Sequence, residues 1–161
     1  MSRIDNEVRI TPSVLDRLLD DRPEEKREGP ASRQSNLRML KQAVKRDLEW
    51  LLNTRVDAGS IPEDLPEVNR SLATYGLPDF SSWNVQGGAD QETLRHTIEE
   101  CVAKFEPRLE GVVVTLESMS DVDRSLRFRI DGRLKIDPAP EPVSFDSVLQ
   151  LGNRQFELTG S

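Results

Sequence analysis

The side chains best placed to do chemistry are Glu106 and Arg108, set on either side of Pro107. Leu94, Ile98, Cys101, Val102 and Phe105 precede them at helical spacing, and Val112-Val113-Val114-Thr115-Leu116 follows as a buried-strand run. Pro107 disfavours the α conformation at Glu106, so the helix is predicted to stop there. In an extended segment, residues two apart point the same way. Glu106 and Arg108 should therefore present an acid and a base side by side. Arginine offers a planar fork of donors to carboxylates or carbonyls, glutamate accepts from a basic group or a backbone N–H, and the proline fixes their spacing at little entropic cost. Two roles fit: a salt bridge that closes the junction inside the chain, or a polar contact with another protein.

Other chemistry finds little support. His96 is the single histidine and sits four residues from Glu92 and from Glu100, where helical charge pairing explains it. No metal site is expected. Cys101 is the single cysteine, which excludes an internal disulfide framework or zinc-finger spacing, and reads as a small buried hydrophobe. Gly87-Gly88 is a lone pair in a loop, not a phosphate cradle. The chain carries 29 acids, so some carboxylate pair at the separation of about 5–9.5 Å needed for glycoside hydrolysis arises by chance. None stands in a recognisable motif. No cofactor is implied.

Composition narrows the partners. Net charge is −7 and the pI about 4.9, so phosphate backbones repel the chain and nucleic-acid binding is not expected. No apolar run nears the roughly 20 residues of a membrane span, and Met1–Glu7 lacks the apolar core of a signal peptide. A cytoplasmic location is the expectation. At 161 residues, 35% apolar and 32% charged, one domain with a modest core is the default.

The elements that must position Glu106 and Arg108 follow from pattern. Residues 1–11 read as a polar flexible tail, and residues 12–161 as a single domain. Thr11-Pro12-Ser13 opens a short helix with Val14, Leu15, Leu18 and Leu19 on one stripe. Residues 23–34 read as a charged loop. Ser35 or Asn36 should cap a second helix, with Leu37, Leu40, Val44, Leu48 and Leu51 as its core face, Trp50 and Leu52 widening it, and Arg55 near its end at Asn53-Thr54. A loop over 56–64 leads to a helical stretch over 66–75 carrying Leu65, Val68, Leu72 and Tyr75, closed by Gly76 and Pro78. Phe80 and Trp83 should anchor the long connection after it. Asp90 is the predicted cap of the fourth helix, about 91–105. Four strands are predicted at about 112–117, 125–136, 143–151 and 154–159. Asp131-Gly132 marks a bulge or tight turn, and Gly152-Asn153 a two-residue hairpin turn. Arg127, Arg129, Arg133 and Lys135 charge the second strand, as protected edges often are. The fold class is α+β: N-terminal helices packed on a C-terminal antiparallel sheet of about four strands.

Several stretches in this order carry a resemblance. They are Pro12-Ser13-Val14-Leu15-Asp16-Arg17-Leu18-Leu19, then Leu40-Lys41, then Arg46 through Arg55, then Ser71-Leu72-Ala73-Thr74-Tyr75-Gly76-Leu77-Pro78-Asp79, then Phe105-Glu106-Pro107-Arg108-Leu109. Together they resemble the TssE family of type VI secretion baseplate subunits, which is similar to a small wedge protein of contractile-tailed phages. The resemblance spans about residues 11–159. It implies a non-enzymatic subunit of a cytoplasmic baseplate wedge. The implied partners are the larger wedge subunits TssF and TssG, with TssK as a further candidate, and the sheath subunits TssB and TssC. The Glu-Pro-Arg signature maps onto Glu106, Pro107 and Arg108, which it casts as partner-binding. An edge of the sheet would add or accept a strand from the sheath. Two rival classes stand beside this one. One is an anti-adaptor that inhibits a proteolysis adaptor, since a relative of this fold does so and fold alone does not assign function. The other is a peptidoglycan hydrolase, because the family has also carried a lysozyme label.

The absence of a placed carboxylate pair generates a first expectation. Purified protein should not clear peptidoglycan in a turbidity assay; clearing that a single Asp or Glu substitution abolished would restore the hydrolase reading.

Overall fold

A computed structural model describes residues 13–18, 33–57, 64–83, 87–120 and 124–159. The predicted tail over 1–11 and most of the predicted loop over 23–34 lie outside these residues. The fold class is α+β, as the pattern implies.

Helix α1 (Val14–Leu18) is short. Ser13 starts it: its Oγ accepts from the Asp16 N–H at 3.1 Å, and Asp16 Oδ2 accepts from the Ser13 N–H at 3.1 Å and Oγ–H at 2.7 Å. This is a reciprocal capping pair. Its apolar stripe is not a core face, since Val14 and Leu18 stay 73% and 75% exposed. Leu19 lies outside the described residues.

Helix α2 (Arg33–Asn53) is the main scaffold. It begins before Ser35 and Asn36, which are therefore inside the helix rather than caps, and the last two residues of the predicted loop are helical. Val44, Leu48 and Leu52 are fully buried, Leu40 and Leu51 nearly so, and Leu37 packs at the margin. Trp50 departs from the predicted arc: it is half exposed, with the Arg46 guanidinium carbon 5.1 Å from its ring centroid. At the C-terminal end Arg55 Nη1 donates to the Leu52 carbonyl at 2.7 Å, a cation at the negative end of the helix.

The predicted loop over 56–64 instead opens with a strand residue: β1 (Arg55–Val56) pairs in parallel with β2 (Leu77–Pro78). Between them the single predicted helical stretch is split into α3 (Pro66–Asn69) and a 3₁₀ turn over Leu72–Thr74. The Ser71 hydroxyl causes the break by accepting from the Ala73 N–H at 3.1 Å, a local bond that competes with helix continuation. Leu72 consequently points to solvent, 80% exposed, and Leu65 is 44% exposed. Gly76 has φ +119°, and a Cβ there would sit 2.5 Å from the Thr54 carbonyl oxygen. Only glycine lets β2 approach the end of α2 this closely. Phe80 is buried and Trp83 packs beside it, ring centroids 6.3 Å apart. Both anchor the connection as expected.

Helix α4 (Gly88–Phe105) starts earlier than predicted, with Gly87 as N-cap and Asp90 in its first turn. There the carboxylate favours the helix dipole. Leu94, Ile98, Cys101 and Val102 are buried. Glu106 leaves the helix with φ −112° and ψ 81°, as Pro107 requires.

The sheet is an antiparallel meander in the order β3 (Leu109–Ser120), β4 (Ser125–Leu134), β5 (Glu141–Gln150), β6 (Gln155–Thr159). Helices α2 and α4 cover one face, where Leu126, Phe128, Ile130, Leu134, Phe145, Leu149, Phe156 and Leu158 meet them in one core. The charged second strand, whose place in the sheet the sequence leaves open, is β4, which is interior. Its arginines lie on the solvent face, with Arg129 Nη2 2.5 Å from Glu117 and Arg133 Nη2 3.2 Å from Glu110, cross-strand pairs exposed to solvent screening. The bulge lies across from Gly132 on the partner strand, where Gly111, with φ +60°, and Val112 make the extra residue between Glu110 and Val113. The last hairpin closes through the four residues 151–154, not two, with the Arg154 N–H donating to the Gln150 carbonyl at 2.7 Å. Arg154 takes φ +58°. Its guanidinium is held by the carbonyls of Phe80 at 2.9 Å and Ser81 at 2.7 Å, and its own carbonyl accepts from Arg55 at 2.7 Å. These long-range bonds fix a conformation that a two-residue turn would not supply.

Leu48 sits mid-helix with no exposed surface. Leu48→Ala should lower unfolding free energy by about 2–5 kcal/mol, read as a drop in the thermal midpoint. A midpoint equal to wild type would show that this face of α2 is not core.

Candidate functional site

The junction between α4 and β3 is a tight turn rather than an extended segment: the Leu109 N–H donates to the Glu106 carbonyl at 3.1 Å. The turn still brings Glu106 and Arg108 together. Arg108 Nε donates to Glu106 Oε1 at 2.7 Å, Nη2 donates to Oε2, and the Arg108 backbone N–H donates to Oε1 at 3.1 Å. The Glu106 side chain is only 4% exposed. A carboxylate this buried needs a paired cation and hydrogen bonds to offset its desolvation, and the fork of Arg108 supplies both.

Arg108 continues outward to α2 and α1. Its Nη2 donates to Asp47 Oδ2 at 2.6 Å, and its Nη1 lies 3.9 Å from Asp16 Oδ2. Arg46 closes the other side, with Nη2 2.8 Å from Asp16 Oδ1 and 2.8 Å from Asp47 Oδ1. Three carboxylates and two guanidiniums thus tie α1, α2 and the start of β3 together. Burial opposes the charge on Arg108, but the Glu106 and Asp47 carboxylates outweigh it and raise its pKa. Burial likewise pushes Asp16 up, yet bonds from Ser13 and Arg46 hold its carboxyl below the usual range.

This brace forms the polar wall of an open groove of about 550 Å³. Ser13, Leu15, Trp50, Leu51, Tyr75, Phe105 and Pro107 form the rest. The Tyr75 and Phe105 rings meet edge to face, centroids 5.3 Å apart. Pro107 is exposed on the rim. The groove offers a flat apolar floor and one buried ion-pair wall. The Ser13 hydroxyl on its lining donates to Asp16 Oδ2 at 2.7 Å as part of the α1 cap.

The remaining candidates resolve simply. His96 Nε2 lies 3.2 Å from Glu100 on an exposed helix face. Cys101 is buried with its thiol 3.2 Å from the Gly76 carbonyl, and desolvation pushes its pKa up to about 11. Gly88 opens α4 and has open space around it. Among the described residues, no His, Cys, Asp and Glu group could hold a metal ion. No described helix is long and apolar enough to cross a membrane. Asp16, Arg46 and Asp47 were not singled out in the sequence, because their partners lie 30 and 61 residues away. The available signal is that Asp16 and Arg46-Asp47 stand within stretches carrying the family resemblance.

Removing Arg108 should expose the cost of the brace. Arg108→Ala leaves Glu106 buried without its cation, a change that costs about 3–5 kcal/mol for a fully buried pair. The expected loss lies toward the lower end, since the Arg108 side chain is 25% exposed. Urea denaturation of Arg108→Ala beside the double variant Glu106→Leu/Arg108→Leu should show the double variant recovering part of the loss. An unchanged midpoint in Arg108→Ala would mean that the pair contributes nothing to folding.

Residues 38–139 match the family described as baseplate wedge protein gp25. That span is more than half of the chain and contains Arg46, Asp47 and the whole Glu106–Arg108 turn. A solved chain from "The baseplate complex from the type VI secretion system" is similar at 20% identity, over 77% of this chain and 97% of that chain, with a TM-score of 0.45. No curated protein matches. The match over helices, junction and sheet shows that the chain belongs to the baseplate wedge protein gp25 family.

Proposed function

We propose that this protein is a TssE-type subunit of a type VI secretion baseplate wedge, acting in the cytoplasm without catalysis. It would bind the larger wedge subunits TssF and TssG, with TssK as a further contact, and link the baseplate to the first ring of TssB–TssC sheath. Family membership supports a structural baseplate role. The ordered stretches that resemble TssE support the secretion-system assignment.

The observation that carries the binding site is the coincidence of the Glu106-Pro107-Arg108 turn with the open groove. Glu106 is committed to Arg108 inside the chain. Its part in binding is to hold Arg108 and Pro107 in one geometry. Pro107 and the exposed face of Arg108 then meet the partner beside Trp50 and Leu15. Preformed surfaces bind with a smaller ordering cost, and a half-exposed Trp with an adjacent Arg is the composition of an interface hot spot. The partner chemistry that fits is an apolar segment with a carboxylate or backbone carbonyl reaching Arg108.

Trp50→Ser tests this with every ion pair of the brace retained, losing only the contact of the Arg46 guanidinium with the ring. Trp50 is 50% exposed, so the isolated variant should melt close to wild type. Capture of co-expressed wedge subunits should weaken by about 30-fold, the equivalent of a hot-spot loss of about 2 kcal/mol. Undiminished capture by Trp50→Ser and by Pro107→Asp would remove the groove from the interface. Co-purification of a proteolysis adaptor instead of baseplate proteins would favour the anti-adaptor reading.

A further inference from the structure

The sheet has two outer strands, β3 and β6, and side chains from the helices treat their edges differently. On β3 the outward backbone groups of Val114 are both occupied. Its N–H donates to Glu99 Oε2 at 2.9 Å, and its carbonyl accepts from Arg95 Nη1 at 3.1 Å. Arg95 and Glu99 are themselves bonded at 3.0 Å, one helical turn apart on α4. Arg95 is further fixed by Glu92 through two bonds at 2.9 and 2.6 Å. An ion pair thus exchanges the same two hydrogen bonds with Val114 that a neighbouring strand would.

The segment so covered is Gly111-Val112-Val113-Val114-Thr115-Leu116. It is uncharged, free of proline and rich in β-branched residues, the composition that stacks strand on strand between identical chains. Val113 is 53% exposed on its solvent face. An exposed outer strand of this kind is a template for pairing unless it is blocked. Register shifts flanking Val113–Leu116, at Glu110/Val113 and Leu116/Ser118, add to the block by bending the strand.

On β6, Asn53 meets Phe156 in the same way, accepting from its N–H at 2.8 Å and donating to its carbonyl at 2.9 Å. Two residues further, the outward groups of Leu158 point the same way. No side chain of the described residues is hydrogen-bonded to them. Among the described residues, the side-chain block on β6 is thus confined to Phe156.

We propose that Arg95 and Glu99 form a clamp that closes the β3 edge to strand pairing with a second copy of this chain. The clamp is formed by side chains, not by a covering element. It is therefore removable without deleting any part of the core.

The test uses the isolated full chain. In the wild type, the Val114 amide should be protected from hydrogen exchange although it faces outward. Arg95→Ala/Glu99→Ala should speed its exchange at least about tenfold and convert a monomer into a species whose mass by light scattering rises with concentration. Glu99→Gln retains an oxygen acceptor for Val114 and should stay monomeric. Adding Val113→Lys to the double variant puts a charge on the outer strand and should restore the monomer. If the double variant does not fold, Glu99→Ala alone carries the test, since Arg95 keeps its bonds to Glu92. A variant that remains monomeric at every concentration, or a wild-type Val114 amide that exchanges as fast as a free one, overturns the proposal. Neither outcome depends on whether the baseplate partners are those proposed above.

Discussion

A single buried carboxylate sets the geometry on which this molecule depends. Glu106 is placed by the end of α4 and enclosed as the chain turns into β3. It cannot sit there charged without a cation, and the only short route is back from Arg108, two residues on. Once the guanidinium is turned inward, its second edge faces α2, and Asp47 meets it. Asp47 in turn fixes Arg46, and Arg46 fixes Asp16 and hence α1. The position of a helix that buries little apolar surface of its own is thus set by a chain of charges that begins in the core. Pro107 completes the arrangement by making the turn obligatory.

The same economy recurs at the sheet margins. Helix side chains stand in for missing strands: Asn53 for Phe156, Arg95 and Glu99 for Val114. Arg154 does the equivalent for the Phe80 carbonyl, and Arg55 for the carbonyl of Arg154, groups that no ladder reaches. Backbone groups at element ends must be partnered somewhere, and in this fold long polar side chains do it. That explains a composition in which 32% of residues are charged around a core that is nonetheless continuous.

Much of the fold was legible in the sequence because it rests on period. The Leu37–Leu51 stripe, the Leu94–Phe105 stripe and the alternation from Leu126 to Ile130 each describe one element burying one face, and each is found. Element ends were less legible. The split after Asn69 and the four-residue hairpin loop are decided by a single hydrogen bond, that of the Ser71 hydroxyl, and by contacts across more than seventy residues, such as Arg154 to Phe80. The identity of the outer strands was not readable from charge: arginines on an interior strand pair across its solvent face as readily as they guard an edge. At the site, adjacency of Glu106 and Arg108 followed from spacing, but the depth of Glu106 and the contribution of Asp16, Arg46 and Asp47 did not. Those depend on how α1 and α2 meet the junction, which no local pattern encodes.

Burial of the pair also changes what the Glu-Pro-Arg stretch can mean. If both charged groups faced solvent, their affinity for a partner would be offset by the entropy of ordering two long side chains. Held as they are, the carboxylate has no freedom left to lose, and the guanidinium keeps one edge beside an exposed proline and a half-exposed tryptophan. A wedge subunit docking there would meet a surface already in its bound shape, and the same contacts that stabilise the fold would set its orientation. In such a site folding and binding are not alternatives. Under the proposed docking, the intrachain salt bridge would be the means by which the surface is kept ready.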